Sequence, residues 1–322
     1  MVKQSDSKLA ALFDLLEAQA KKHPETAAAL FVAYQKINQL IITHPASQKI
    51  SKNLKTLQKH WMQAFDNFDE DGYSENFIEL IRPILQFFYY NYFRVDVVGS
   101  QHIPKRNKAL IIPNHSGVLP YDGAMLSLAI FNELAKARMP RFLIDDFIFN
   151  FAILGKTLQR IGGVRASHHN AERLLKQGHL VINFPEGTKG VGKPYDERYQ
   201  LKRFGRGGFV KLAIKTKTSI VPTAVIGAEE IHPLIWKSET LAKPMGIPSL
   251  PITPTFPLLG PLGMIPLPTK WKIIFGRPIS FAKAKASAAK DEQFIESKSA
   301  EIKDIIQKML DKHLKQRTSI WY

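Results

Sequence analysis

Apolar and polar positions divide the chain into two differently patterned regions. Before residue 92, apolar residues recur at helical spacing in LAALFDLLEAQA, TAAALFVAYQKINQLII and LKTLQKHWMQAF, with His-Pro breaks at Pro24 and Pro45. The same spacing predicts a fourth helix over about 74–92, apolar and aromatic around nearly its whole circumference. Such a helix either packs under the next domain or lies at a membrane interface. We therefore assign 1–92 to an all-helical accessory region.

After residue 92 the pattern becomes an alternation of short β-rich runs and helical segments. The runs are RVDVVG, ALIIP, RFLID, GGVRA, HLVINF, SIVPTAVIG and WKIIFG, and helices are predicted from Asp122, near Phe147, from His168 and from Gly208. A last helix presents one apolar face, formed by Phe294, Ile302, Ile305, Ile306, Met309 and Leu310. This alternation predicts an α/β domain over 93–322, with a mostly parallel central sheet flanked by helices.

Two segments depart from this scheme. NFDEDGYSENFI resembles a calcium loop through Asp69, Asp71 and Gly72, but Ile78 occupies the twelfth position, where a bidentate Glu is required. We interpret it as a solvated turn and predict no metal site. The stretch 244–269 has no charged residue and eight prolines, which forbid a continuous helix. It is either an internal wall or a surface in shallow contact with lipid headgroups.

Composition limits the environment and the partners. The 322 residues include no cysteine, which excludes disulfides, thiolate catalysis and cysteine-bound zinc and is compatible with a reducing cytoplasm. The start of the chain lacks a secretory pattern, and no window reaches the roughly eighteen apolar residues of a spanning helix. A net charge of +17 indicates an anionic partner, such as nucleic acid, an acidic membrane or a phosphorylated molecule. Much of the charge lies in one run, Lys189, Lys193, Arg198, Lys202, Arg203, Arg206, Lys211, Lys215 and Lys217.

Four motifs follow apolar runs and carry candidate chemistry. NHSGVLPYDG holds His115 and Asp122, a pair able to take a proton from a hydroxyl; alternatively, Asp122 is only a helix cap. IGGVRAS supplies Arg165, and FPEGTKG supplies Glu186, Gly187, Thr188 and Lys189, which suit phosphate recognition through cations and Gly-rich backbone. Glu186 can also simply accept hydrogen bonds from its own turn. The fourth motif is IVPTAVIG.

In this order the motifs resemble the sequence blocks of the glycerolipid acyltransferases, the family of glycerol-phosphate and lysophosphatidic acid acyltransferases. The resemblance covers about 109–227, and FPEGT after an NH…D block is its specific part. It implies that His115 is the general base and Asp122 its orienter, and that Arg165 and Lys189 contact phosphate. It further implies that Glu186, Gly187 and Thr188 belong to the turn that positions the acceptor. The family usually has four residues between His and Asp, whereas this chain has six. We expect the loop to bulge so that Asp122 still reaches the imidazole.

The resemblance implies an O-acyltransferase of phospholipid biosynthesis. The expected donor is a thioester, acyl-CoA or acyl carrier protein, with no further cofactor and no metal. The expected acceptor is a lysophospholipid, foremost 1-acylglycerol-3-phosphate, and the expected location is the cytoplasmic side of an anionic membrane, peripheral or monotopic. Two alternatives remain open: a neutral acceptor such as diacylglycerol, and a basic lipid-binding or nucleic-acid-binding protein without turnover. Nucleic acid is the less expected partner because no recognised binding motif accompanies the charge.

Overall fold

The computed structural model describes residues 67–322 except 117–119, 135–137, 151, 239–249 and 257. The three helices predicted before residue 66 lie outside the described residues, and the division at residue 92 stays a prediction. The helices are α1 (Glu75–Gln86), α2 (Tyr121–Glu133), α3 (Ala152–Arg160), α4 (His168–Lys176), α5 (Thr188–Val191), α6 (Gly208–Thr216) and α7 (Glu292–Lys315). A π-helical segment, Phe87–Tyr92, continues α1.

Seven of the nine described strands coincide with the predicted β-rich runs. The nine are β1 (Asp96–Val98), β2 (Ala109–Pro113), β3 (Arg141–Ile144), β4 (Gly163–Arg165), β5 (Leu180–Ile182), β6 (Ser219–Ile226), β7 (Trp236–Ser238), β8 (Leu250–Ile252) and β9 (Lys272–Phe275). Two of them, β7 and β8, were not predicted. In the described chain, seven of them form one sheet in the order β1-β9-β6-β2-β5-β3-β4, while β7 and β8 pair separately. Within the large sheet, β6 and β9 are antiparallel and the other pairs parallel. The predicted α/β fold with a mostly parallel sheet is confirmed.

Alternation along the buried strands builds a core on each face of the sheet. In β2, Ala109 and Ile111 join one core together with α1, α2 and α3, whereas Leu110 and Ile112 join the other with α4, α6 and α7. This follows from the period of two, which sends successive side chains to opposite faces. On α7, the residues buried against the sheet recur every three or four positions: Ile295, Ser299, Ile302, Ile306 and Leu310.

The calcium-like segment docks onto the domain through arginines. The Asp69 carboxylate pairs with Arg141, and the Asp71 carboxylate pairs with Arg173 on α4. Burial acts to raise the pKa of Asp69, but its hydrogen bond and charge contact with Arg141 prevail and lower it. These carboxylates therefore hold the start of α1 against the sheet domain.

Candidate active site

Two of the predicted motifs meet at the centre of one sheet edge. β2 lies between β5 and β6 and runs parallel to both, so the carboxyl ends of the three strands share an edge. Asn114 follows β2 directly; its amide accepts from the Val225 N–H (2.7 Å) and donates to the Val225 carbonyl (3.0 Å). This side chain continues the pairing with β6 after β2 has ended. The position of His115, the next residue, is therefore fixed just beyond the end of β2.

His115 and Asp122 form a hydrogen-bonded pair across the six-residue interval. The distance from His115 Nδ1 to Asp122 Oδ2 is 2.6 Å. The same carboxylate accepts from the Ser116 N–H at 3.0 Å and, through Oδ1, from the Gly123 N–H at 2.7 Å. Asp122 lies in the first turn of α2, where the helix dipole favours a negative charge. Pro120, not Asp122, occupies the N-cap position, so the alternative that Asp122 only caps the helix is wrong.

The surroundings of the pair leave one ring nitrogen open. A carboxylate oxygen accepts, so His115 Nδ1 carries the proton and Nε2 keeps a lone pair. Asp122 is 1% exposed at its side chain and His115 is 20% exposed. The Phe184 ring stacks on the imidazole with 4.2 Å between centroids. The arrangement fixes the orientation of a partly exposed imidazole ring.

Glu186 faces the protein interior. Its Oε1 accepts from the His115 backbone N–H at 2.9 Å, and its Oε2 accepts from the Lys202 N–H at 2.8 Å. The side chain is fully buried. Glu186 thus accepts backbone hydrogen bonds, but from His115 and Lys202 and not from its own turn, as the second interpretation had it. One of these bonds holds His115.

The rest of the FPEGT turn lies at the surface beside His115. Gly187 has φ 56° and ψ −148°, a conformation that is essentially restricted to glycine. Thr188 and Lys189 follow on α5 and are exposed. Within the described part of the chain, Lys189 pairs with no carboxylate. Its ammonium group is therefore available to an anionic ligand.

Arg165 lies apart from this cluster. It ends β4, three strands from β2, which corresponds to roughly 14 Å at ordinary strand spacing. Its guanidinium is 2.8 Å from Asp146 Oδ1 and sits over the Phe149 ring. The structure thus brings His115, Asp122 and the 186–189 turn together and leaves Arg165 at the periphery of the same sheet edge.

Comparison with known proteins identifies the family. The family model described as Acyltransferase matches residues 94–226. An uncharacterized protein of Mycobacterium tuberculosis is 43% identical over 255 residues, which cover 79% of this chain and 71% of that protein. A 1-acyl-sn-glycerol-3-phosphate acyltransferase of Borreliella burgdorferi is 26% identical over 134 residues, 41% of this chain and 51% of that protein. This chain belongs to the glycerolipid acyltransferase family.

Two further comparisons complete the findings on this acyltransferase. A diacylglycerol O-acyltransferase 2 of Dictyostelium discoideum is 26% identical over 277 residues, covering 79% of this chain and 80% of that protein. The crystal structure of the lysophosphatidic acid acyltransferase PlsC from Thermotoga maritima aligns with a TM-score of 0.49 and 18% identity. The alignment covers 81% of this chain and 89% of that one.

The acyltransferase site also contains a buried ionic cluster that the sequence analysis did not identify. The Lys193 ammonium is 2.9 Å from Glu229 Oε1 and 3.5 Å from Glu186 Oε2. Glu229 Oε2 accepts from the Tyr199 N–H at 2.9 Å. Burial raises the pKa of Glu229, although Lys193 acts to lower it. The sequence places Lys193 in the basic run 189–217, but its side chain is buried and only 2% exposed. In the sequence, a role for Glu229 was indicated only by the presence of charged residues within the apolar stretch IVPTAVIGAEEIHPLI.

A small pocket opens beside this cluster. Its walls are Gly190, Val191, Lys193, Pro194, Tyr195, Arg198, Glu229, His232 and Leu234. His232 Nε2 donates to the Met264 carbonyl at 2.9 Å, and burial lowers the pKa of His232. The ring therefore stays neutral. Of the other eight cations in the basic run, four pair with acids in the described chain: Lys202 with Glu197, Arg203 with Glu296, Lys211 with Glu292 and Lys215 with Glu172.

Proposed function

We propose that this acyltransferase moves a fatty acyl group from a thioester donor, acyl-CoA or acyl carrier protein, to a lipid hydroxyl. The foremost acceptor is 1-acylglycerol-3-phosphate, and His115 is the general base. The observation that carries the proposal is the 2.6 Å contact between His115 Nδ1 and Asp122, which leaves Nε2 without a hydrogen-bond partner among the described residues. A general base must lie within hydrogen-bond reach of the hydroxyl whose proton it takes, and we assign this role to His115 Nε2.

The reaction needs no acyl-enzyme. His115 Nε2 takes the proton as the acceptor oxygen forms a bond to the thioester carbonyl carbon, giving a tetrahedral oxyanion. Asp122 steadies the resulting imidazolium through Nδ1–H. As the intermediate collapses, the carbon–sulfur bond breaks and His115 returns the proton to the leaving thiolate. The products are the ester and the free thiol, with His115 again neutral.

Two observations bear on the acceptor. Lys189 is exposed, precedes Gly190, which lies against His115, and suits a phosphorylated acceptor, in line with the activity named for the Borreliella relative. A neutral acceptor such as diacylglycerol is the second candidate. It is favoured by the longer alignment with the Dictyostelium relative and by the pairing of Arg165 with Asp146, which already occupies the predicted phosphate ligand.

The proposed partner surface is an anionic membrane. In the described chain, no helix is long and apolar enough to cross a bilayer. The 258–265 segment nevertheless presents exposed apolar side chains, with Leu258 84% and Leu262 68% exposed. The Tyr92 hydroxyl donates to the Pro266 carbonyl at 2.6 Å, which joins this segment to the π-helix, where Phe87 is also exposed. Apolar side chains next to the acceptor site support shallow insertion where the substrate lipids reside.

The test is turnover with labelled acyl thioester. Purified protein would receive acyl-CoA or acyl carrier protein together with lysophosphatidic acid or diacylglycerol. We expect faster turnover with lysophosphatidic acid; a preference for diacylglycerol would select the second candidate.

His115→Ala and Asp122→Asn should each lower kcat about 10²- to 10⁴-fold with little change in KM. His169→Ala, an exposed histidine on α4, serves as the control. Full activity in His115→Ala would refute the proposal.

A further inference from the structure

The buried Lys193 ammonium joins two carboxylates that approach His115 from different parts of the chain. Glu186 follows β5 and Glu229 follows β6, and each also accepts a backbone N–H from the 199–202 segment. Glu186 accepts the His115 N–H as well. One ammonium ion thus ties three loops to the backbone of the predicted base.

The geometry of this cluster depends on the positive charge of Lys193, which offsets the negative charges of Glu186 and Glu229. Two carboxylates with almost no exposure repel each other, and an unpaired buried charge is costly. Without the ammonium, the repulsion between the two carboxylates would displace Glu186. This displacement would weaken its hydrogen bond to the His115 N–H.

We propose that Lys193 is a positioning residue, which holds the Glu186 carboxylate in place so that Glu186 fixes the His115 backbone for acyl transfer. The proposal rests on the proposed function for its kinetic consequence. It has a structural consequence that is independent of turnover, namely the protection of the His115 amide. Lys193 does not touch the reacting atoms.

The first experiment compares Lys193→Met with wild type, with Lys308→Met as the control, since Lys308 is exposed on α7. We expect Lys193→Met to lower kcat about 10- to 100-fold with KM within about threefold, because small displacements of a base are costly to the chemical step. Amide hydrogen exchange at His115 should accelerate by a similar factor. A folded Lys193→Met protein with unchanged kcat and unchanged exchange would overturn the proposal.

The second experiment restores the balance with Lys193→Met/Glu229→Gln. Here Glu186 is left as a single carboxylate that retains both backbone N–H donors. We expect most of the kcat and of the His115 amide protection to return, whereas a lysine needed only for packing would give no recovery. The double variant also serves if Lys193→Met alone does not fold. No recovery in a folded double variant would contradict the proposal.

The third readout is the pH profile. In Lys193→Met, lowering the pH should protonate Glu229 first, because burial already raises its pKa, and this mimics the double variant. The ratio of variant to wild-type kcat should therefore rise as the pH is lowered, and stay flat for the double variant. The other titratable groups near the cluster are His115, His232, Arg198, Tyr199 and the Glu230–Arg317 pair. These groups are the same in all variants, and the double variant, which also lacks Lys193, is the reference for any change in their own titration.

The design separates the two hypotheses. If wild-type protein turns over none of the offered lipids, the proposed function fails, yet amide exchange still tests whether Lys193 holds the His115 loop. If wild type is active and neither exchange nor kcat responds to Lys193→Met, only the positioning role fails.

Discussion

The motifs that hold His115 and Glu186 approach each other closely because residue 190, which lies against both, is a glycine. Gly190 is buried where α5 passes His115 and Glu186. A Cβ at this position would lie 2.8 Å from the Glu186 Cβ and 2.9 Å from the His115 Cβ. Both neighbours are anchored by backbone and cannot yield as a flexible chain end would. Glycine is therefore required at position 190 because the site leaves no room for a side chain, and not because the backbone of the turn demands it.

Replacing Gly190 by Ala should separate His115 from Glu186. We expect a loss of about 1–3 kcal/mol in the free energy of unfolding, as for other overpacked positions, and a fall in kcat. Denaturant unfolding and acyl-transfer kinetics would measure the two effects. The matched control is Gly192→Ala, two residues on, where the nearest atom is the flexible end of Lys237 at 3.4 Å. Equal behaviour of the two variants would refute this account.

At the scale of elements, an aromatic chain joins the exposed apolar segment to the site. The Tyr92 and Phe88 rings lie 5.3 Å apart, and Phe88 contacts Tyr121, the residue before Asp122. Tyr121 in turn lies 6.3 Å from His232, which binds the Met264 carbonyl. The π-helix, the start of α2 and the 258–265 segment thus form one continuous wall. This wall connects the exposed 258–265 segment to Tyr121, the neighbour of Asp122.

Leu262→Glu should weaken binding to vesicles of phosphatidylglycerol and phosphatidylcholine. Burial of one leucine contributes about 1.5–3 kcal/mol, so affinity should fall roughly tenfold or more. Vesicle sedimentation would measure it, with thermal unfolding to verify the fold. Ala300→Glu makes the same charge change on the exposed side of α7, which covers the opposite face of the sheet. If the two variants bind vesicles equally well, the segment is not the membrane contact.

At the scale of the whole molecule, stability should depend on pH through buried histidine. The His232 side chain is buried, and burial lowers its pKa below the ordinary value of 6.5. Below about pH 6.5 the unfolded chain binds a proton that the folded chain does not. The contribution of His232 is therefore present above that pH and is lost as the pH falls.

The free energy of unfolding should decrease by at most about 1.4 kcal/mol per pH unit from this group as the pH is lowered from 6.5. Urea unfolding at pH 7.5 and pH 5.5 would measure the change. His232→Asn keeps a donor for the Met264 carbonyl and should reduce the pH dependence. His169→Asn, at an exposed position, should leave it intact. An unchanged slope in His232→Asn would contradict the assignment.

The sequence by itself determined the elements and the main pair of the site. Apolar periodicity located all seven strands of the large sheet and four of the helices between them, though not the short α5, because burial on one face or both imposes a period on the chain. His115 and Asp122 were identified because they flank one strand end, and they are close in space because only a short loop separates them.

Only the tertiary structure decided which distant residues share that site. Lys193 looked like a surface cation until the sheet order brought Glu186 and Glu229 around it. Arg165 follows a strand as expected, but β4 is an edge strand, and so it remains far from β2. Local spacing encodes which way a side chain points relative to its own element. Strand order and burial arise from contacts across the whole chain, and these determine which charges are paired and which face solvent.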